Sequence, residues 1–161
     1  MKLYHIHILY FVLIIFLPAK MIAQEIKLSD TAEVSILTMG PGDVLNDSFG
    51  HSAFRVKDTK QNIDVVYNYG VYDFNTPNFY LKFAQGKLLY TLDRNNFSPF
   101  YNYYAKQNRW IKEQVLNLNS IEKQDIFNFL QNNFKPENRS YTYDFFFDNC
   151  ATKIRDVLVI V

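Results

Sequence analysis

His51-Ser52-Ala53-Phe54-Arg55-Val56-Lys57, then Asp58 to Asn62, then Ile63-Asp64-Val65-Val66-Tyr67-Asn68-Tyr69, is the stretch that decides what kind of fold this chain can adopt. The first run alternates, with Ala53 or Phe54 and Val56 as its apolar members, and the last is rich in β-branched and aromatic residues. Such runs fit strands, because successive strand side chains point to opposite faces. Asp58 to Asn62 supplies polar turn chemistry between them. A β-hairpin is therefore expected, with His51 at the start of one strand and Asn68 near the end of its partner. In an antiparallel pair those two ends are neighbours.

The flanking sequence extends this hairpin into a larger unit. Upstream, Glu33 to Met39 alternates with period two and stops at Gly40-Pro41-Gly42-Asp43, a turn. Downstream, Pro77 to Gly86 fits a short helix, with proline in its first turn and glycine just past its end. Lys87 to Asp93 reads as a strand, Phe97 to Lys106 as a helix and Arg109 to Leu118 as a strand. Asn119, with Glu122 three positions on, resembles a capping box. It opens a helix through Phe134 whose apolar face is Ile126, Phe129, Leu130 and Phe134. Tyr141 to Phe147 is an aromatic extended segment, and Asn149 is placed to cap a last helix that begins at Cys150. The pattern is α+β, an antiparallel sheet packed against helices with no repeat and no internal linker.

Residues 1–23 stand outside this unit. Lys2 precedes an apolar run from Ile8 to Leu17, and the segment ends in small residues at Ala23. That order is a secretory signal peptide, and the run is too short to span a bilayer core, which needs about 20 residues. Cleavage after Ala23 leaves residues 24–161 as one exported domain. Cleavage removes Lys2 and Lys20 but no acidic residue, so the formal charge passes from +1 to −1. A nearly neutral domain is not a basic nucleic-acid binder. An aromatic content of 17% with only 5 glycines argues for a packed core and against disorder.

The chain has a single cysteine, Cys150, so it forms no internal disulfide, and Cys150 is too far from the cleavage site to carry a lipid anchor. It is a free thiol in an oxidising compartment. At a helix N-terminus, unpaired N–H groups and the positive end of the macrodipole favour the thiolate. The same N–H groups, with Asn149 as cap and Ala151 beside the cysteine, can hold an oxyanion. An imidazole in contact completes a nucleophilic pair. His5 and His7 leave with the signal peptide, so His51 is the only candidate base in the mature chain. Asn68, Asp64 and Asp73 compete to orient its ring, with Asn68 preferred as the residue at the hairpin end. The bland alternative is a buried inert cysteine and a decorative histidine. One histidine and one cysteine far apart in sequence lack the spacing of a metal site, and no cofactor is implied.

The ordered motifs Phe49-Gly50-His51-Ser52, Tyr67-Asn68-Tyr69-Gly70, Asp73-Phe74, Asn78-Phe79, Arg109 to Gln114, Tyr143-Asp144-Phe145, Asp148-Asn149-Cys150-Ala151-Thr152 and Arg155-Asp156 resemble the N-terminal periplasmic domain of Lnb-type lipoprotein N-acyltransferases. The resemblance covers roughly residues 32–158. It implies a circularly permuted papain-like fold, in which the histidine strand precedes the cysteine helix. It also implies periplasmic location and acyl transfer from a phospholipid donor to the amino group of a lipoprotein acceptor, at a membrane surface. Family members continue past the cysteine helix into a membrane-spanning region, and the abrupt apolar end Val157 to Val161 leads to the expectation of a truncated reading frame. Two other readings use the same residues: a papain-like cysteine peptidase or amidase acting on cell-wall peptide, and a non-catalytic glycan-binding module.

Overall fold

The computed structural model of the chain describes residues 26–44 and 47–160. The expected signal peptide lies outside them. Six strands, β1 (Glu33–Met39), β2 (His51–Asp58), β3 (Ile63–Val71), β4 (Leu89–Asn96), β5 (Ile111–Val115) and β6 (Ser140–Thr142), form one antiparallel sheet in the order β5-β1-β2-β3-β4-β6. The helices among the described residues are α1 (Phe79–Ala84), α2 (Phe97–Lys106), α3 (Ser120–Asn133) and α4 (Cys150–Val159). None is long and apolar enough to cross a membrane.

The hairpin forms as its sequence requires. Phe54 faces Tyr67 and Asp58 faces Ile63 across the β2–β3 register, and Asn62 takes the left-handed conformation of the turn at φ 54°. β2 and β3 lie at the centre of the sheet, where both faces are covered. On one face Leu37, Met39, Ala53 and Val66 pack against Phe100 and Tyr104 of α2. On the other, Val34, Phe54, Val56, Val65, Tyr67 and Leu92 pack against α3 and against Ile154 and Val157 of α4. Arg55 ties the strands together: its guanidinium donates to Asp64 and Glu113 and lies 3.4 Å from the Phe97 ring centroid.

Several boundaries differ from the sequence reading. Asn78 is left-handed (φ 58°, ψ 38°), which breaks helical geometry, so α1 begins at Phe79 and excludes Pro77. β4 continues to Asn96 because that residue still pairs with Val65. The strand expected over 109–118 narrows to Ile111–Val115 at the sheet edge. The aromatic segment 141–147 is not a strand throughout: after Thr142 the chain turns, and Asp144 Oδ1 accepts from the N–H groups of Phe146 and Phe147. A short polar side chain has outcompeted ladder pairing for these backbone donors.

α3 has the expected capping box, Asn119 accepting from Glu122 N–H while Glu122 accepts from Asn119 N–H. Its buried face, however, is Ile126, Phe127 and Leu130, with Phe129 and Phe134 only partly buried.

Candidate active site

α4 starts where its cap dictates. Asn149 Oδ1 accepts from Ala151 N–H at 2.9 Å and Thr152 N–H at 3.0 Å, and Thr152 Oγ1 accepts from Asn149 N–H at 2.8 Å. Three of the donors that a helix start leaves unpaired or at risk are thereby engaged, and Cys150 is fixed as the first helical residue. Asn149→Ala is expected to lower stability by about 1 kcal/mol, the usual cost of losing an N-cap, read as a shift in the urea midpoint.

His51 is fixed by a different element. Met39 of β1 lies opposite it, and Gly50, at φ 72°, turns the chain into β2. A side chain at Gly50 would meet the Met39 carbonyl oxygen at 2.7 Å, so this turn requires glycine. In β3 the pairing with β4 is irregular between Asn68 and Val71. Asn68 Oδ1 accepts from His51 Nε2, which defines the neutral tautomer and leaves the other ring nitrogen for a second partner.

Cys150 lies beside the ring, where thiol and imidazole act on each other's protonation. Both residues are half-buried. Burial pushes the Cys150 thiol up, but the hydrogen bond and charge of His51, with the N–H groups of Ser52 and Ala151, bring it below its ordinary value. Burial likewise works against a charged His51. The hydrogen bond and charge of Cys150, with the Asn68 contact, outweigh it and raise the imidazole, while the Arg109 charge opposes them. Thiol lowered and imidazole raised favour a thiolate–imidazolium pair.

All five residues singled out from the sequence thus meet in one place. Asp64 and Asp73 do not: Asp64 holds Arg55 through both oxygens at 2.8 Å, and Asp73 Oδ1 accepts from Asn75 in an exposed turn. The N–H of Ala151 is shared between the Asn149 cap and the sulfur. Sequence reasoning missed Ser52, whose N–H faces the sulfur, although its place beside His51 was a usable signal. It also missed Asp47, Asp93 and Asn95, which line a cavity of about 480 Å³ next to His51 and Asn68 together with Tyr103 and Tyr104. Nothing in the local sequence marks these three, since they arrive from a loop and a strand.

Arg109 sits behind that cavity, buried. Its Nε donates to Gly40 O at 2.8 Å, its Nη1 pairs with Asp47 at 3.1 Å, and its guanidinium lies 4.7 Å from the Tyr104 ring centroid. It clamps the loop that leads into His51. Phe49 and the run Phe145 to Phe147, each a few positions before a site residue, form an exposed aromatic rim, with the Phe49 and Phe145 ring centroids 5.1 Å apart.

No curated protein and no solved structure matches the chain. The family model described as the Lnb N-terminal periplasmic domain matches residues 19–161, nearly the whole chain, and the chain belongs to that family.

Proposed function

We propose that this domain is a thiol acyltransferase working through an acyl-enzyme on Cys150. The observation that carries the reading is the placement of Cys150, at a capped helix start, beside a His51 ring that is itself held by Asn68. A nucleophile, a base and an orienting group in this order are what covalent acyl transfer needs. The arrangement also suits a circularly permuted papain-like fold, since the histidine strand precedes the cysteine helix.

The Cys150 thiolate attacks the carbonyl carbon of a glycerolipid ester, such as a membrane phospholipid. The backbone N–H of Ser52, beside the sulfur, receives the oxyanion. The carbon–oxygen bond breaks, His51 gives its proton to the departing alkoxide, and a thioester remains. A lipoprotein amine then attacks the thioester, its proton passes to His51, and the carbon–sulfur bond breaks. Thiolate and imidazolium are restored. The exposed phenylalanine rim supports a lipid substrate, because a clustered exposed apolar patch marks a ligand or membrane contact.

Incubation with phospholipid vesicles, followed by mass measurement of the peptide containing Cys150, is expected to reveal one acyl group on that residue. Cleavage of cell-wall peptide with no acyl adduct would favour the amidase and sink this reading.

A further inference from the structure

The cavity beside His51 has one charged group that the chemistry above leaves without a role. In the β3–β4 register Asn68 lies opposite Asp93, so the two share a face of the sheet, and both line the cavity together with His51. His51, Asn68 and Asp93 therefore run in a row across three adjacent strands. Asp93 is half-buried and oriented: Arg94 N–H donates to Oδ1 at 2.9 Å and Asn95 Nδ2 donates to Oδ2 at 2.9 Å. A carboxylate accepts about four hydrogen bonds, so each oxygen keeps capacity on the cavity side.

No Lys or Arg side chain pairs with Asp93 among the described residues. Arg109 bonds to Asp47, Gly40 and Gln107, with its Nη2 buried and unpartnered. Arg94, opposite Tyr67 in register, serves the other face of the sheet, 6.0 Å from the Tyr67 ring centroid. A half-buried carboxylate without a counter-ion, at the wall of a cavity that also holds an imidazole, selects for a cation with hydrogens to donate. Asn95 and the ring of Tyr103 stand on the same cavity wall and offer a further acceptor and an aromatic face.

We infer that this cavity is the acceptor subsite, in which Asp93 binds the α-ammonium of a peptide acceptor. This rests on the acyl-enzyme reading. The amine enters protonated, pairs with Asp93 and loses one proton to water. As free amine it attacks the thioester carbon, its second proton passes to the His51 ring nitrogen on the Cys150 side, and the carbon–sulfur bond breaks to leave an amide and the Cys150 thiolate. Asp93 is thus a specificity residue for the amine, while His51 handles its proton.

The test uses glycinamide, a primary ammonium with a peptide bond and no lipid. NMR titration of the Cys150→Ala chain is expected to shift the backbone signals of Asp93, Asn95 and Tyr103. Asp93→Asn should weaken that binding about tenfold, the loss of one hydrogen bond to a charged group, and Asp93→Glu should recover part of it. In the wild-type cysteine background, with Cys150 acylated by p-nitrophenyl butyrate, the glycinamide concentration that diverts half of the acyl group from hydrolysis should rise about tenfold in Asp93→Asn.

Unaltered glycinamide binding in Asp93→Asn overturns the inference. Preferential saturation by phosphoethanolamine overturns it too, since the site would then hold a donor headgroup. If Asp93→Asn moves only the pH profile of Cys150 labelling, Asp93 serves His51 and the inference falls. Glycinamide binding that depends on Asp93, with no acylation of Cys150 by any ester, would instead remove the acyltransferase reading and leave the ammonium site standing.

Discussion

His51→Ala is expected to slow alkylation of Cys150 by iodoacetamide at pH 6 by about 100-fold. An unassisted thiol with a pKa of about 8.5 is only about 0.3% thiolate at that pH. In the folded chain the thiolate is favoured by the His51 hydrogen bond and charge, against burial. The sign follows from both partners. The thiol is lowered, so thiolate persists as pH falls; the imidazole is raised, so its positive charge persists as pH rises. The pair occupies the interval between the two, and labelling should begin at the lowered value. Removing the ring leaves burial as the dominant influence on the thiol, which pushes it up. The labelling midpoint should then climb into or above the ordinary thiol range. Asn68→Ala keeps the ring but frees its orientation, and a loss of about tenfold is expected from an imidazole that spends less time aligned with the sulfur. A pH profile of labelling that is the same in the wild type and in His51→Ala would show that the contact does not activate the thiol, and the buried inert cysteine would be the correct reading.

The second large effect concerns α3. Phe127 is 1% exposed, in contact with the central core of the sheet, whereas Phe129 is only partly buried. Phe127→Ala should cost about 3–5 kcal/mol, the range for a buried aromatic replaced by alanine. That corresponds to a fall in Tm on the order of 10 °C for a chain of this size. Phe129→Ala should cost about 1 kcal/mol. Thermal unfolding of the two variants side by side distinguishes them. Equal losses would mean that α3 is rotated from the orientation described, with the face read from sequence turned inward.

That contrast shows where sequence reasoning stops. Ile126, Phe129, Leu130 and Phe134 recur at helical spacing, and Phe127 adjoins them, so the helix carries a wide apolar arc and periodicity alone cannot say which edge is inside. The rotation is set by what lies opposite, namely Tyr67 and Leu92 on the sheet, which are remote in sequence. The Tyr141 to Phe147 segment shows another limit. Its aromatic content suits a strand, yet Asp144 captures the backbone donors and leaves Phe145 to Phe147 exposed in a turn.

Elements governed by local chemistry were legible. The β2–β3 hairpin, the α2 span, the Asn119 capping box and the Asn149 cap follow from alternation, spacing and short polar side chains within a few residues of one another. The placement of His51 beside Asn68 follows as well, because antiparallel pairing across a tight turn makes those ends neighbours. The cysteine at a helix start is likewise a local fact, carried by Asn149 and Thr152.

Each half of the site is built by contacts of short range along the chain and is legible in residue order. That the halves meet depends on the packed core. α4 packs Ile154 and Val157 on the sheet core beside Phe54 and Val56, and this burial of apolar surface, which has no sequence signature of its own, carries Cys150 to the His51 ring. The same packing gathers Asp47, Asp93 and Tyr104 around one cavity. Hydrophobic burial is not directional, so the partners it brings together are set by the shape of the whole core and cannot be read from any one segment.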